Sequence, residues 1–432
     1  MIPVMDNKKI PIIADDYVEM DFGSGAVKIT PSHDPNDFEV GARHDLGQNI
    51  IMDGKGYLNE NAGAYAGLER YEARNKIIED FEKLGFYIGK KHHHNAVGHC
   101  ERCHTVIEPL ISKQWFVKMA PLAKPALEEY RKGNLNIIPE RFGKIYENWL
   151  ENIRDWNISR QLWWGHRLPV WYSDSDDEIV ISREDPSNTK GHEGKTYTQD
   201  QDTLDTWFSS ALWPFSTLGW PEKTPEYDYF YPTNVLVTGY DIIFFWVIRM
   251  VFSALEQTGK LPFKDVFLNG LVRDDQGRKM SKSLGNGIDP LDIIRDYGAD
   301  ALRFTLVTGN TPGNDMRFYI KRVEANRNFA NKLWNATRFL MMNMSDEIED
   351  SNFDVNKLHY QDKWIISKLQ KVIKSITEKI DKYDIGLAAD DIYDFIWSDF
   401  CDWYIEIVKP VLYSDDVEEK TNTVKVLLYV LE

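Results

Sequence analysis

Between residues 230 and 270 the sequence follows one order of elements, an apolar strand, a polar turn and a long apolar helix that leads to a second apolar strand. The strands are residues 235–237 and 266–268, and the helix between them covers residues 242–255. Two strands joined by such a helix run parallel, because the helix carries the chain back along the sheet. The pattern therefore predicts an α/β fold with a parallel sheet, in which ligands bind at the carboxyl ends of the strands.

The loop after the second strand reads R-K-M-S-K-S-L-G-N and concentrates positive charge in a chain whose formal net charge is −17. Its cations and hydroxyls are Arg278, Lys279, Lys282, Ser281 and Ser283. These groups suit a phosphate, which accepts charge-assisted hydrogen bonds from such donors. Glycines on both sides would let the loop move over a ligand. The alternative is an ordinary exposed basic turn.

Size and composition favour a folded protein of several domains. The chain has 432 residues, of which 43% are hydrophobic. Its three cysteines are too few to staple a secreted chain of this size and indicate a reducing compartment. The most apolar run, from Ile242, is interrupted by Arg249 and is shorter than the roughly 20 residues of a membrane span. We expect a cytoplasmic protein with no membrane segment and no signal peptide at its start.

Changes of pattern along the chain predict three regions. Residues 1–110 mix short β-rich runs with glycine-rich turns, and residues 111–310 hold the α/β pattern, with a polar surface insertion at 173–201. Residues 311–432 show helical spacing instead. Long amphipathic helices joined by short connections indicate a bundle in this last region.

Several elements are predicted inside these regions. Residues 10–13 and 26–30 have the composition of strands, and apolar spacing predicts a helix over 69–84. Asp34 and Pro35 are typical of a helix start, with the aspartate as the cap and the proline at the first position. Two apolar stripes predict helices of the bundle; they consist of Ile365, Leu369, Val372, Ile373, Ile376 and Ile380, and of Ile392, Phe395, Ile396, Phe400, Trp403 and Ile407.

Four longer motifs accompany K-M-S-K-S, and together they resemble one family. They are D-W-N-I-S-R-Q-L-W-W-G-H, L-D-T-W-F-S-S-A-L-W-P, V-T-G-Y-D-I-I-F-F-W-V and N-F-A-N-K-L-W-N. This set is similar to the class I aminoacyl-tRNA synthetases of the valine, leucine and isoleucine subgroup, and the T-G-Y-D form resembles the valine-specific members. The resemblance implies the second half of a Rossmann-type catalytic sheet with the K-M-S-K-S loop at 111–310. It also implies part of a β-rich editing domain at 1–110, and a stem-contact segment followed by part of a helical anticodon-binding domain at 311–432.

The resemblance implies ATP-dependent activation of valine and its transfer to tRNA(Val). Lys279 and Lys282 would then contact the phosphates of ATP, which arrives with Mg²⁺, while Ser281 and Ser283 shape the loop. Gly239 and Asp241 would lie beside the ribose. The family's valine pocket corresponds to Trp207, Ile242 and Trp246, which without the resemblance are equally well explained as core residues.

An editing function is implied as well, because a pocket that admits valine cannot strongly reject threonine. The segment F-G-S-G-A-V-K-I-T-P-S-H-D-P-N-D-F is similar to one half of the family's editing domain. By this resemblance Asp37 binds the α-amino group of a mischarged threonyl ester, with Asp34 beside it. The remaining editing residues would be Phe22, Lys28 and Thr30. Helix capping explains Asp34 without any ligand.

A basic stripe and a C-x-x-C pair remain open to two interpretations each. The stripe consists of Arg317, Lys321, Arg322, Arg327, Lys332 and Arg338, and it is either a solvated helix face or a surface for tRNA phosphates. Cys100 and Cys103 supply two of the four ligands that zinc needs, so they are either part of a zinc site or a relic of one.

No H-x-G-H sequence, the second element of class I activation, occurs in the chain. We therefore expect an internal piece of a synthetase that is monomeric at full length and cannot form valyl-adenylate as this piece alone. Two alternatives stay open, an isoleucine- or leucine-specific relative and a non-catalytic tRNA-binding protein derived from a synthetase.

Overall fold

The structure is a computed structural model that describes residues 2–5, 8–90, 92, 94–100, 103–281, 284–345 and 350–432. The chain divides into two compact units, Met1–Gln114 and Trp115–Glu432. The helices are Pro35–Arg43 (α1), Arg70–Lys83 (α2), Ala120–Arg131 (α3), Arg141–Glu151 (α4), Thr206–Ser210 (α5), Trp213–Ser216 (α6), Pro225–Phe230 (α7), Ile248–Thr258 (α8), Pro290–Tyr297 (α9), Ala299–Val307 (α10), Ile320–Asn343 (α11), Tyr360–Asp381 (α12), Ile385–Asp394 (α13), Ile405–Leu412 (α14) and Val417–Leu431 (α15).

The strands all lie in the second unit, as far as the described residues show. They are Phe116–Val117 (β1), Asn136–Ile138 (β2), Trp156–Asn157 (β3), Ser159–Arg160 (β4), Val170–Ser173 (β5), Ile179–Ile181 (β6), Tyr197–Gln199 (β7), Thr203–Leu204 (β8), Thr233–Gly239 (β9), Phe263–Asn269 (β10), Val272–Arg273 (β11) and Met316–Arg317 (β12). Short 3₁₀ turns cover Glu60–Tyr65, Tyr240–Ile242 and Val355–Lys357, and π-helical turns cover Ile243–Val247 and Phe395–Tyr404.

The first unit confirms the predicted helices but not the predicted strands. Helix α1 begins at Pro35, and the Asp34 carboxylate accepts hydrogen bonds from two backbone amides of its first turn, as the sequence predicts. Helix α2 fills the predicted range 69–84. The strand predictions at 10–13 and 26–30 are wrong: both segments lack a paired strand in the described chain. A β-strand exists through hydrogen bonds to a neighbour, which composition alone does not supply.

A parallel sheet forms the centre of the second unit, in the strand order β2-β10-β9. Strand β9, helix α8 and strand β10 are the predicted strand–helix–strand unit. Apolar side chains of the sheet, including Leu236 and Val266, share one buried core with Ile248 and Val251 of α8. The carboxyl ends of β9 and β10 lie side by side, because Gly239 at the end of β9 pairs with Asn269 at the end of β10.

The polar insertion at 173–201 has structure of its own. Strands β5, β6 and β7 form an antiparallel sheet in the order β6-β5-β7. The sheet bounds most of the predicted insertion, and its connections are the Asp- and Ser-rich stretches.

The C-terminal helices pack around a second core, as predicted for a bundle. Ile365 of α12, Val408 of α14 and Val424 of α15 are fully buried in it. Both predicted stripes are partly wrong. In the first, Ile373 and Ile380 are exposed. In the second, Trp403 is 62% exposed and Ile407 is also exposed, while Tyr404 and Val408 are buried instead. The π-helical turn Phe395–Tyr404 explains the difference, since its wider turn shifts every later residue around the helix axis.

Among the described helices, none has both the length and the apolar composition that crossing a bilayer requires.

Candidate nucleotide and amino-acid site

Two loops leave the parallel sheet at its carboxyl edge, and the predicted nucleotide residues lie on them. Gly239 is the last residue of β9, and Asp241 follows it in a short 3₁₀ turn. A Cβ on Gly239 would lie 2.8 Å from the Asp241 Oδ1 atom, so a side chain at this position would require the carboxylate to shift. A Cβ on Gly270, just beyond β10, would lie 1.7 Å from the Asn314 carbonyl oxygen. The exit of β10 therefore lies directly against neighbouring backbone, which leaves no room for a side chain at Gly270.

The basic loop reaches the exit of β9. Lys279 pairs with Arg273 in a short antiparallel bridge, and its Nζ atom lies 3.5 Å from the Asp241 Oδ2 atom. The Lys279 side chain is 68% exposed and that of Asp241 is 34% exposed. An exposed pair of this kind contributes about 0–1 kcal/mol, so the ammonium can leave the carboxylate for a better anion. The structure thus brings together two groups predicted to bind ATP.

A buried carboxylate that the sequence analysis did not identify holds the base of this loop. Asp274 is 5% exposed and accepts hydrogen bonds from the Asn286 Nδ2 atom (2.9 Å), the Arg278 amide (2.7 Å) and the Arg278 Nε atom (2.8 Å). The hydrogen bond from Asn286, with those from Arg278, lowers the pKa of Asp274 to about 2, against the opposing effect of burial. The aspartate pair D-D before the loop was the sequence signal for this anchor.

Asn286 ties the far arm of the loop to the same anchor. Its Oδ1 atom accepts a hydrogen bond from the Ser281 amide at 2.9 Å, and its Nδ2 atom donates to the Lys279 carbonyl at 3.3 Å. The Ser281 hydroxyl accepts from the Leu284 amide. Lys282 and Ser283 lie outside the described residues. The backbone on both sides of them is therefore fixed by the side chains of Asn286 and Ser281.

The predicted valine-pocket residues follow directly on the nucleotide residues. Ile242 is next to Asp241 and ends the 3₁₀ turn, and Trp246 lies in the π-helical turn before α8. Trp207, on α5, stacks on Phe245 with ring centroids 5.8 Å apart. All three predicted side chains are half-buried. Both tryptophans pack against the same core. They are thus neither fully enclosed in the interior nor separated into different layers.

The chain matches one protein family over most of its length. A family model described as tRNA synthetases class I (I, L, M and V) matches residues 36–319. The chain belongs to the class I aminoacyl-tRNA synthetases. A second model, the anticodon-binding domain of tRNA ligase, matches residues 362–432 of the synthetase.

Curated relatives are longer than this synthetase chain. It is 57% identical to the valine–tRNA ligase of Clostridium tetani over 431 residues, which are 100% of this chain and 49% of the relative. It is 58% identical to the valine–tRNA ligase of Carboxydothermus hydrogenoformans over 408 residues, 94% of this chain and 46% of the relative. The chain thus spans about half the length of the curated relatives it matches.

A solved structure supports the fold of the synthetase. Mycobacterium tuberculosis methionyl-tRNA synthetase in complex with methionyl-adenylate has a TM-score of 0.58 and 20% sequence identity, over 77% of this chain and 60% of that protein. The predicted fold class, a class I catalytic sheet followed by a helical anticodon-binding region, is confirmed.

Three of the predicted editing residues of the synthetase form one cluster in the first unit. The Thr30 amide and hydroxyl both donate to the Asp37 Oδ2 atom, at 2.7 and 2.9 Å, and Asp37 is buried. Asp34 joins the cluster by accepting from the Asp37 amide at 3.1 Å. Phe22 and Lys28 are exposed. In the described residues no hydrogen bond joins Lys28 to the cluster, so its predicted role remains a prediction.

Both cysteines of the pair contact Thr105. The Cys100 amide donates to the Thr105 carbonyl at 2.9 Å, and the Cys103 thiol donates to the Thr105 hydroxyl at 3.2 Å. No group of three or more metal-ligating side chains occurs in the described part of the synthetase. Two thiols do not complete a four-ligand zinc site, and we derive no role through zinc.

The basic stripe of the synthetase divides into internal and exposed cations. Arg322 donates to the Thr308 carbonyl at the end of α10, and Lys332 lies on the Asp402 carboxylate and over the Trp397 ring. Arg327 lies 5.6 Å from the Tyr297 ring centroid. The exposed members are Arg317, Lys321 and Arg338. Intramolecular contacts therefore already engage half of the predicted tRNA-binding cations.

Proposed function

We propose that this chain is part of a valine–tRNA ligase, which activates valine with ATP and transfers it to tRNA(Val). The observation that carries the proposal is the contact between Lys279 and Asp241 at the carboxyl edge of the sheet, beside Ile242. A cation for phosphate from the basic loop thus meets a carboxylate for ribose hydroxyls and an apolar side chain, which both lie in the turn after β9. Its curated relatives are named valine–tRNA ligases, which supports the choice of amino acid.

Activation joins the valine carboxylate to the α-phosphate of ATP and expels pyrophosphate. Negative charge grows on the leaving group, so cations placed there stabilise the transition state more than the ground state. We assign this role to Lys279 and Lys282, with Ser281 and Ser283 forming the loop that carries them. Mg²⁺ enters with ATP as part of the substrate.

Asp241 orients the nucleotide in this proposal. A carboxylate accepts hydrogen bonds from both hydroxyls of a ribose, and Gly239 leaves the space that this approach needs. Before ATP binds, the carboxylate holds the Lys279 ammonium. Binding of the triphosphate would move that ammonium to the phosphates, because a polyanion attracts it more strongly than one exposed carboxylate.

Valine selection falls to Trp207, Ile242 and Trp246. Bulky walls exclude a side chain one methylene larger, but threonine has nearly the shape of valine. Valyl-tRNA synthetases themselves are known to discriminate against threonine by only about a hundredfold in such a pocket. We therefore assign hydrolytic editing of threonyl-tRNA(Val) to the Asp37 cluster. Thr30 occupies one carboxylate oxygen of Asp37, which leaves the other for the α-ammonium group.

The tRNA partner is supported by the match of residues 362–432 to an anticodon-binding domain. We assign phosphate contacts to the exposed cations Arg317 and Lys321. A monomeric, cytoplasmic enzyme remains the expectation. Without an H-x-G-H element, the 432-residue chain alone is expected not to catalyse valine-dependent exchange between ATP and pyrophosphate.

The test uses a full-length protein that contains this segment. It should catalyse valine-dependent ATP–pyrophosphate exchange, and Lys279→Ala should lower kcat by about 100- to 1,000-fold, the usual loss for one transition-state donor. Lys264→Ala, which removes an exposed lysine near the start of β10, is the control and should leave the rate unchanged. Exchange driven by isoleucine or leucine would favour the relative with that specificity. Binding of tRNA without any exchange would favour the non-catalytic alternative.

A further inference from the structure

A buried ion pair with no part in the proposed ATP and tRNA contacts joins Asp205, next to the start of α5, to Arg249 of α8. Asp205 is 7% exposed and Arg249 is 9% exposed, and the Arg249 Nη1 atom lies 3.4 Å from the Asp205 Oδ2 atom. A buried ion pair seldom stabilises a protein more than apolar residues of the same volume would, because both charges lose their hydration. A contribution to stability therefore does not explain this pair. Its position next to Trp207 and Trp246 suggests a different role.

Asp205 fixes the start of the helix that carries Trp207. Its Oδ1 atom caps α5 by accepting from the Trp207 amide at 3.4 Å. Its Oδ2 atom accepts from the Trp156 Nε1 atom and from the Arg160 Nη2 atom, each at 2.9 Å. The carboxylate thus connects the first turn of α5 to strands β3 and β4 as well as to Arg249.

Arg249 lies near the start of α8, which directly continues the π-helical turn that carries Trp246. Its guanidinium lies 3.8 Å from the centroid of the Trp156 ring, and burial lowers its pKa to about 10, so it stays charged at neutral pH. A second tie joins the same two elements, since the Trp246 Nε1 atom donates to the Ser210 carbonyl at 3.0 Å. The two ties hold opposite ends of α5 against the turn that bears Trp246.

We propose that Asp205 and Arg249 are positioning residues for amino-acid selection, because their contact fixes the separation of Trp207 and Trp246. The inference rests on the proposed function and adds to it the residues that set the pocket width. Loosening the pair lets the tryptophans move apart, which admits isoleucine and weakens the fit to valine. One methylene in such a pocket discriminates by about 10- to 200-fold, so a small displacement has a measurable effect.

The experiment compares valine- and isoleucine-dependent ATP–pyrophosphate exchange in a full-length protein that contains this segment. Asp205→Asn and Arg249→Lys should each narrow the valine-over-isoleucine ratio of kcat/KM by about tenfold, mainly by raising KM for valine. KM for ATP should stay within twofold, because Asp241 and Lys279 are untouched. The double variant should lose less than the two single losses combined, since both substitutions disturb the same contact between Asp205 and Arg249.

Tyr146→Phe is the matched control, because Tyr146 is fully buried in the same core and its hydroxyl has no partner among the described residues. It should leave the amino-acid ratio unchanged. Arg249→Lys keeps the positive charge, and it alone tests the inference if Asp205→Asn does not yield soluble protein. A ratio within twofold of the unmodified protein in the soluble variants would overturn the inference while leaving the proposed function intact. Absence of valine-dependent exchange in the unmodified protein would instead overturn the proposed function.

Discussion

At the residue scale, the basic loop depends on the buried carboxylate of Asp274. The Asp274 carboxylate accepts hydrogen bonds from the backbone amide and guanidinium of Arg278 and from the side-chain amide of Asn286. The Asn286 Oδ1 atom in turn accepts a hydrogen bond from the Ser281 backbone amide. A charged acceptor strengthens each of these bonds relative to a neutral one. Asp274 and Asn286 therefore position the loop, and the exposed Lys279 ammonium can exchange its contact with Asp241 for a phosphate.

Asp274→Asn tests this anchor. We expect KM for ATP to rise by about tenfold in the full-length protein, because a misplaced loop loses roughly one charge-assisted hydrogen bond of positioning. Asp275→Asn, at the exposed neighbouring aspartate, should leave KM for ATP unchanged. ATP–pyrophosphate exchange measures both. Equal effects of the two substitutions would contradict a specific anchor at Asp274.

The same residue predicts a pH dependence of stability. Its pKa in the folded chain is about 2, below the ordinary value of 3.8, so the carboxylate stabilises the fold above about pH 4 and loses this effect as the pH falls towards 2. The urea midpoint of the unmodified protein should exceed that of Asp274→Asn at pH 7. The difference should shrink between pH 4 and pH 3. A difference that stays constant over this interval would contradict the assignment.

At the element scale, the chain contains two π-helical turns, and such a turn changes which residues of a regular apolar pattern become buried. Ile243–Val247 lies at the proposed pocket and Phe395–Tyr404 lies in the bundle. In the bundle the shift buries Tyr404, whose hydroxyl donates to the Asp362 Oδ1 atom at 2.7 Å, while Asp362 Oδ2 accepts from the His359 amide. Burial raises the pKa of Tyr404 well above its usual range. The π-helical turn thus places a polar contact in an apolar core.

Tyr404→Phe should lower the free energy of unfolding by about 1–3 kcal/mol, because it leaves the Asp362 carboxylate buried with one acceptor unsatisfied. Trp403→Phe, at its exposed neighbour, should change it by no more than about 0.5 kcal/mol. Denaturant unfolding followed by circular dichroism measures both variants. A larger loss of unfolding free energy in Trp403→Phe than in Tyr404→Phe would contradict the burial of Tyr404 and support the apolar stripe predicted from the sequence.

At the scale of the whole molecule, the proposed tRNA partner would meet a chain of net charge −17, so its phosphates would have to bind at a local basic surface. The cations on α11 and just before it would form this surface. Two of them are already used inside the chain, since Arg322 donates to the Thr308 carbonyl and Lys332 pairs with Asp402. Phosphate contacts release condensed counterions, so tRNA binding should weaken steeply with salt.

Lys321→Ala should reduce the slope of log Kd against log salt by roughly 0.7–0.9, the value of one phosphate contact. Lys332→Ala should leave the slope unchanged, because its ammonium already lies on Asp402. Filter binding of tRNA to the full-length protein between low and moderate salt measures the slopes. A flat salt response in the unmodified protein, or equal effects of both substitutions, would remove the proposed surface.

The sequence by itself determined the features that depend on short stretches of chain. The strand–helix–strand unit, the cap at Asp34, the basic loop and the family motifs follow from apolar spacing, capping chemistry and local composition. These patterns are set by residues within a few positions of each other, so they can be read without knowing the fold. The wrong strand predictions at 10–13 and 26–30 show the limit of such local patterns, because a strand needs a hydrogen-bonding partner from elsewhere in the chain.

Only the tertiary structure decided which distant side chains meet. Lys279 reaches Asp241 across 38 positions of sequence, and Arg249 reaches Asp205 across 44. Whether a cation faces solvent or a neighbouring carboxylate, as in Lys321 and Lys332, depends likewise on packing between helices. Composition states that charges are present, but the distance and burial that give each charge its role arise only when the elements pack.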